Sequence, residues 1–194
     1  MGETVVIDER FCGPPGSANG GYASAMVAHF IDGPAEVTLR KPPPLGKPLA
    51  VLVDEQSVSL LDGDVLIATA KTTSVEIEIP SPISLADAEL ATSRYPWRDR
   101  HPYPTCFVCG PLRQPGDGLN IFSGPVEGLQ VFAAPWTPAP DLADSSGEVC
   151  DEFVWASLDC PSGIVTNLFA DVGPILLGRL SVDIRHPIQA EHSY

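Results

Sequence analysis

A single carboxylate, Asp159, lies in the middle of an otherwise apolar stretch that is typical of a buried helix. Removing a carboxylate from water is costly unless a partner or water reaches it, so an acid at this place needs a physical reason. One reason is local: a helix segment begins at Pro161, and Asp159 caps it. The other is functional, because carboxylates in perturbed environments are found at functional sites. Both interpretations can hold at once.

The pair Gly20-Gly21 follows Asn19 at the start of an apolar helical pattern. Asn19 is predicted to cap this helix by accepting hydrogen bonds from its first free amides. Because glycine has no side chain, the helix N-terminus is then open to a carbonyl or an anion, and its N–H groups can meet developing negative charge. The alternative is an ordinary capped helix whose small residues allow tight packing.

Cys106 and Cys109 have the two-residue gap of a zinc knuckle or a redox pair. A structural zinc site needs two more ligands, and no second Cys-x-x-Cys exists in the sequence. The scattered residues that would meet the pair only through the tertiary fold are Cys12, Cys150, Cys160, His101 and His186. The sequence therefore predicts no metal, and the two cysteines are expected to anchor a loop as small apolar side chains.

His29 lies two turns after the glycines on the same predicted helix. A histidine with an acidic partner can act as an acid–base pair, but only Asp32, at the end of the helix, stands near it in the sequence. We expect His29 to be a core or interface histidine.

The elements that must position these residues form a unit that occurs twice. A helix opened by glycine and followed by a strand ending in Arg-x-Pro lies at 20–42 and again at 163–187. In both copies the proline lacks the backbone donor that a pairing strand needs, so the strand stops there. The repeat predicts an internal pseudo-dimer.

Apolar or alternating runs of strand length predict an antiparallel sheet around the first helix. The predicted strands are 4–8, 35–40, 48–56, 57–61 and 65–73, followed later by 119–122, 129–133 and 175–185. Many prolines between 80 and 118 exclude any long element there and predict a linker. The predicted organisation is a first unit at 1–80, a linker at 81–118 and a second unit at 119–194, which lacks the last strands of the first.

Composition excludes several classes of function. A formal charge of −14 on 194 residues opposes binding to nucleic acid or anionic lipid, which needs clustered Lys and Arg. No run approaches the roughly 20 apolar residues of a membrane span. The acidic N-terminus is unlike a signal peptide, and the odd count of five cysteines agrees with reduced thiols. We therefore expect a cytoplasmic protein with no nucleic-acid or membrane partner.

The repeated unit resembles the double hotdog arrangement of acyl-CoA thioesterases, in which an antiparallel sheet wraps an apolar helix twice in one chain. The resemblance is carried by 13–22, with its Gly-Gly-Tyr helix start, and by 156–163, where Leu-Asp-Cys-Pro-Ser-Gly is similar to central-helix sequences of thioesterase-like actinobacterial proteins. It implies an α+β fold with a tandem hotdog whose second copy is incomplete at its C-terminus. A homo-oligomer would then complete the open sheet edge.

The resemblance also implies hydrolysis of an acyl thioester, with no cofactor. Asp159 matches the family position that orients or activates the attacking water, and Ser181 would be its hydroxyl partner. Backbone donors at Asn19, Gly20 and Gly21 would bind the thioester oxygen.

The implied substrate is acyl-CoA or another acyl thioester, and basic residues are its natural phosphate partners. Arg40, Lys41 and Arg185 are among the few available in this acidic chain. Two rival functions remain: a non-catalytic hotdog protein that binds an acyl or other hydrophobic ligand, and a hotdog dehydratase or hydratase that uses His29.

Overall fold

The computed structural model describes residues 2–170 and 173–194, with 167–170 described by their backbone only. The helices are α1 (Gly20–Ala28), α2 (Leu85–Thr92) and α3 (Asp151–Ala170). The strands are β1 (Glu3–Val6), β2 (Ala35–Leu39), β3 (Pro48–Val53), β4 (Val58–Asp62), β5 (Val65–Thr72), β6 (Gly124–Pro125), β7 (Phe132–Ala133) and β8 (Arg179–Val182). None of the helices in these residues is long and apolar enough to cross a lipid bilayer.

The main sheet is antiparallel and has six strands in the order β1-β3-β4-β5-β2-β8. The first five strands lie close to the predicted positions. The sixth comes from the second half of the chain and pairs with β2, so that Ala35 lies opposite Val182 and Thr38 opposite Arg179. The predicted α+β class with an antiparallel sheet is confirmed.

Alternation along the strands decides which face of the sheet is buried. In β3, Leu49 and Val51 are buried while Leu52 is half exposed, as expected where one face of a sheet packs on a core. β4 and β5 are joined through Gly63, whose positive φ of 58° suits glycine in a tight hairpin. The Asp62-Gly63 turn predicted from the sequence is therefore present.

α1 lies between the sheet and α3. Ala23 and Val27 are fully buried, and the helix contacts β2, β4 and β5 on one side and α3 on the other. Because an apolar helix of this kind cannot face water, burial on both sides explains its composition.

Several predicted elements differ from the structure. β8 has four residues, whereas the prediction was 175–185. The strand predicted at 119–122 is wrong, because the short ladder here pairs β6, which lies just after that range, with β7, the last two residues of the predicted 129–133. α3 continues through Pro161 as one helix, so no segment begins there for Asp159 to cap. The predicted tandem hotdog with an incomplete second copy is not confirmed, since β8 is the one strand of the second half that joins the main sheet in the described residues.

The segment predicted as a linker is part of the folded body. It contains α2, capped by the Ser84 hydroxyl, which accepts from the amide of Asp87 at 3.1 Å. Further along, Phe107 is fully buried and makes aromatic contacts with Phe11 and Phe153. Prolines prevented long elements here without preventing packing, because a loop can be buried when its backbone groups find partners.

Candidate functional site

Asp159 caps α1, the neighbouring helix, instead of its own. Its Oδ2 atom accepts hydrogen bonds from the side-chain amide of Asn19 at 2.9 Å and from the backbone N–H of Gly21 at 3.1 Å. Asn19 accepts in turn from the amide of Tyr22 through Oδ1 at 2.9 Å, which fixes the orientation of its side chain and confirms the predicted cap. The structure thus brings Asp159, Asn19, Gly20 and Gly21 together.

The carboxylate is held in an environment that disfavours its charge. The pKa of Asp159 is raised to about 6, mainly by burial and also by the negative charge of a thiolate at Cys106. Hydrogen bonds from Gly21, Gly20 and Asn19 act in the opposite direction, because they stabilise the ionised form. A carboxylate in this state can exchange a proton close to neutral pH.

The glycines also allow α1 and α3 to approach each other closely. A Cβ added at Gly21 would lie 2.5 Å from the Trp155 carbonyl oxygen and 2.8 Å from the Ala156 Cα atom. At Gly20 it would lie 3.1 Å from Oδ2 of Asp159. The tight packing that small residues allow is therefore observed together with the capping contact.

The backbone donors predicted for the oxyanion site are already bonded within the chain. The N–H of Asn19 donates to the Phe11 carbonyl at 2.8 Å. The N–H of Gly21 donates to Asp159 and is not available to a thioester oxygen while that bond exists. The amide of Gly20 also donates to this carboxylate, and this hydrogen bond lowers the pKa of Asp159. The helix N-terminus is occupied by a carboxylate of the chain itself, a possibility that the sequence alone did not suggest.

Asp159 lies on the wall of a cavity of about 430 Å³, a volume typical of small-molecule sites. The cavity is bounded by the N-terminus of α1, the end of β2, the loop around 101–109, α3 and residues 174–178. Trp97, Tyr103 and Leu177 contribute apolar surface. A carboxylate on the wall of a largely apolar cavity is a candidate catalytic or binding site.

Two of the three predicted phosphate-binding residues lie at this cavity. Arg40 and Lys41 are exposed and contribute to its lining. Arg185 does not: its Nε donates to Asp183 at 2.8 Å and its guanidinium also donates to the Val75 carbonyl at 3.1 Å.

Ser181 is not brought to Asp159. It lies on β8, where its hydroxyl donates to a Glu36 carboxylate oxygen at 3.3 Å, and it does not line the cavity. The predicted hydroxyl partner is therefore wrong in this geometry, because the register of β8 against β2 sets Ser181 opposite Glu36.

His29 also lies away from Asp159. It is exposed at the C-terminal end of α1 and lines a second cavity together with Glu152 and Trp155. Of the expected core or interface histidine, the core alternative is wrong, because α1 ends at Ala28 and His29, its C-cap residue, is exposed.

Next to Asp159 the structure places a cluster of three thiols. The Sγ atoms of Cys106, Cys109 and Cys160 all lie within 4.8 Å of one another, and those of Cys106 and Cys160 are 3.6 Å apart. Nε2 of His101 is 3.3 Å from the sulfur of Cys109. In the sequence Cys160 and His101 are only two of several scattered candidates, and no local pattern signals that they join the pair.

The thiols have unequal affinities for a proton. Hydrogen bonds from Cys109 and Cys160, with backbone amides of Cys109 and Val108, hold the pKa of Cys106 well below its usual range. The pKa values of Cys109 and Cys160 are raised, because they donate to Cys106 and are themselves buried. The cluster is thus arranged to stabilise negative charge on sulfur, first at Cys106.

Comparison with models of known protein families gives no match, and comparison with curated protein sequences gives none either.

Proposed function

We propose that this protein hydrolyses an acyl thioester with a water molecule positioned by Asp159. The observation that supports the proposal is the carboxylate held at the N-terminus of α1 on the wall of the cavity, with its pKa raised by burial. Carboxylates in such surroundings can act as general bases, because their pKa is close to the pH at which an enzyme operates.

The fold proposed with this function is a tandem hotdog, with units at 1–80 and 119–194. Two features support it. α1 packs against α3, and β2 and β8, the strands that follow the two helices, pair with each other in antiparallel orientation. A pseudo-twofold axis between two helix–strand units would produce both contacts, because it relates each element to its counterpart.

The chemistry uses the two carboxylate oxygens differently. In the described residues, the side-chain and backbone hydrogen bonds to Asp159 end on Oδ2, so Oδ1 is the atom that would hold a water. The water attacks the carbonyl carbon of the thioester and gives one proton to Asp159. The carbon–sulfur bond then breaks, Asp159 returns that proton to the leaving sulfur, and the products are a carboxylic acid and a thiol. Gly20 lies at the cavity, and its amide would have to release Asp159 before it could donate to the carbonyl oxygen of the thioester.

Coenzyme A is the proposed carrier of the acyl group. Arg40 and Lys41 place two positive charges at the cavity of a chain whose net charge is −14. Phosphate groups would meet little other local attraction on such a protein, so these two residues are the natural place for them.

A second candidate function is binding of an acyl ligand without turnover. It is favoured by the occupied amide of Gly21 and by the distant position of Ser181, which leave the predicted catalytic set incomplete. The dehydratase alternative has no comparable support, because His29 lines another cavity.

Turnover of short, medium and long acyl-CoAs separates these functions. Loss of thioester absorbance is the better readout, because five cysteines of the protein would consume a thiol reagent. Asp159→Asn should lower the rate at least about 100-fold, the usual scale for a general base. The matched control is Asp151→Asn, an exposed carboxylate in the first turn of the same helix, which should keep the rate.

Binding is measured on the same panel through the fluorescence of Trp97, which lines the cavity, with Trp97→Phe as the control for its signal. Ligand binding with no turnover by the unmodified protein would replace hydrolysis by the binding function. Equal turnover in Asp159→Asn and the unmodified protein would exclude Asp159 as the base.

A further inference from the structure

We propose that Cys106, Cys109 and Cys160 form a binding site for a thiophilic divalent cation, with Zn²⁺ as the natural occupant. The site is independent of the proposed hydrolysis. It rests on three sulfurs from two distant segments of chain that converge next to a cavity.

The distances fit a metal site. A tetrahedral zinc ion with Zn–S bonds of about 2.3 Å separates two of its sulfur ligands by about 3.8 Å. The Cys106–Cys160 distance is 3.6 Å, and all three sulfurs fall within 4.8 Å. Small movements of the side chains would therefore place all three at bonding distance from one ion.

The backbone of the Cys-x-x-Cys segment is folded as a tight turn that directs both sulfurs to one side. The amide of Gly110 donates to the Cys106 carbonyl at 2.9 Å. A Cβ at Gly110 would lie 2.5 Å from the Cys106 nitrogen, so only glycine fits this turn without displacement. The turn holds Cys106 and Cys109 in place, and α3 supplies Cys160 as the third sulfur.

A disulfide and simple apolar anchoring both fit the cluster less well than a metal ion does. Three thiols cannot all be joined in disulfides with one another, and a bond between Cys106 and Cys160 would need their sulfurs to close from 3.6 Å to about 2.05 Å. Apolar anchoring does not account for the meeting of three sulfurs and the His101 ring at one point. Metal ligation uses every sulfur in the cluster.

His101 is placed as a positioning residue beside the metal. The backbone amide of Tyr103 donates to its Nδ1 at 2.8 Å, so in the neutral ring the proton is on Nε2. That N–H points at Cys109, 3.3 Å away, and would donate to its thiolate. The fourth coordination position then stays open, and it faces the cavity that all three cysteines line.

The test begins with the unmodified chain, reduced with a phosphine and titrated with Zn²⁺ or Co²⁺. We expect one equivalent of metal per chain and a sulfur-to-cobalt charge-transfer band with the intensity of three thiolates. Bound Zn²⁺ should slow alkylation of the three cluster cysteines, while Cys12 and Cys150 react as before, as mapped by mass spectrometry. A small thiol added to the cobalt form should change its spectrum by entering the open position.

Single variants give the matched comparison. Cys106→Ser, Cys109→Ser and Cys160→Ser should lose the charge-transfer band, whereas Cys12→Ser and Cys150→Ser should keep it. His101→Ala should weaken metal binding about 10–100-fold, the usual effect of removing a partner of a ligand. If His101→Ala lost metal binding as completely as the cysteine variants do, His101 would be the fourth ligand, and the proposal of an open fourth position would be wrong.

The proposal fails if the unmodified, fully reduced protein takes up neither metal at micromolar concentration. It also fails if Zn²⁺ protects all five cysteines alike or none. Because these readouts contain no acyl-CoA, failure of the metal site and failure of the proposed hydrolysis are distinguishable.

Discussion

Gly21→Ala should destabilise the protein by forcing α1 away from α3. The new methyl group would meet the Trp155 carbonyl oxygen at 2.5 Å, the Ala156 Cα atom at 2.8 Å and the Asp159 Cβ atom at 3.0 Å. The first two belong to the backbone of α3, so no side-chain rotation relieves the clash. The helices must separate, and the bond from the Gly21 amide to Asp159 must lengthen with them.

The magnitude follows from two opposing effects. Overpacking of a close contact costs about 1–3 kcal/mol, and three contacts of 3.0 Å or less favour the upper end of that range. Alanine in a helix recovers about 0.5–1 kcal/mol relative to glycine. The expected net loss is about 2 kcal/mol, which lowers the melting temperature of a chain of this size by about 4–8 °C.

The control is Gly163→Ala on α3, where nothing lies within 4 Å of the added Cβ. This variant should gain about 0.5–1 kcal/mol from helix propensity alone. Chemical denaturation with circular dichroism measures both. Equal stability gains for the two variants would refute the close approach of α1 and α3 that positions Asp159.

Two further predictions concern the segment predicted as a linker and the basic residue Arg40 at the cavity. Phe107→Ala should cost about 3–5 kcal/mol in urea denaturation because its ring is fully buried, whereas Leu112→Ala, two-thirds exposed, should change stability by less than about 0.5 kcal/mol. Similar losses of stability in the two variants would show that the segment around Phe107 lies outside the core. Arg40→Glu should weaken binding of coenzyme A at low salt more than Arg185→Glu does, since only Arg40 lines the cavity. Equal weakening of coenzyme A binding in the two variants would exclude Arg40 as a phosphate-binding residue.

Much of the fold was predictable because its signals are local. Alternation and the Asp62-Gly63 turn indicated the first five strands, and Asn19 indicated the start of α1. The length of β8 was not predictable from its apolar run, because a strand ends where its partner ends, and β2 offers five residues. Burial of Phe107 was hidden for a similar reason: it depends on aromatic partners far away in the sequence.

The site was predictable in part. An acid in an apolar helix identified Asp159, and glycines after a capping residue identified the end of α1 that it meets. That the two bind each other depends on the crossing of α1 and α3, which no local pattern specifies. The prediction that Ser181 is the hydroxyl partner of Asp159 came from the resemblance and depended on strand register. The register of β8 places Ser181 opposite Glu36, to which its hydroxyl donates.

Asp159 and Cys160 are consecutive residues, and this explains how one turn of α3 can contribute to both proposed sites. Successive side chains on a helix point about 100° apart, so Asp159 meets the end of α1 while Cys160 meets the 106–109 turn. The carboxylate is fixed by donors on α1 that need no metal, and the sulfurs are fixed by a turn that needs no carboxylate. Asp159→Asn should therefore keep the affinity for Co²⁺ while it loses turnover. Loss of both in a folded variant would show that carboxylate and thiolates form a single metal centre.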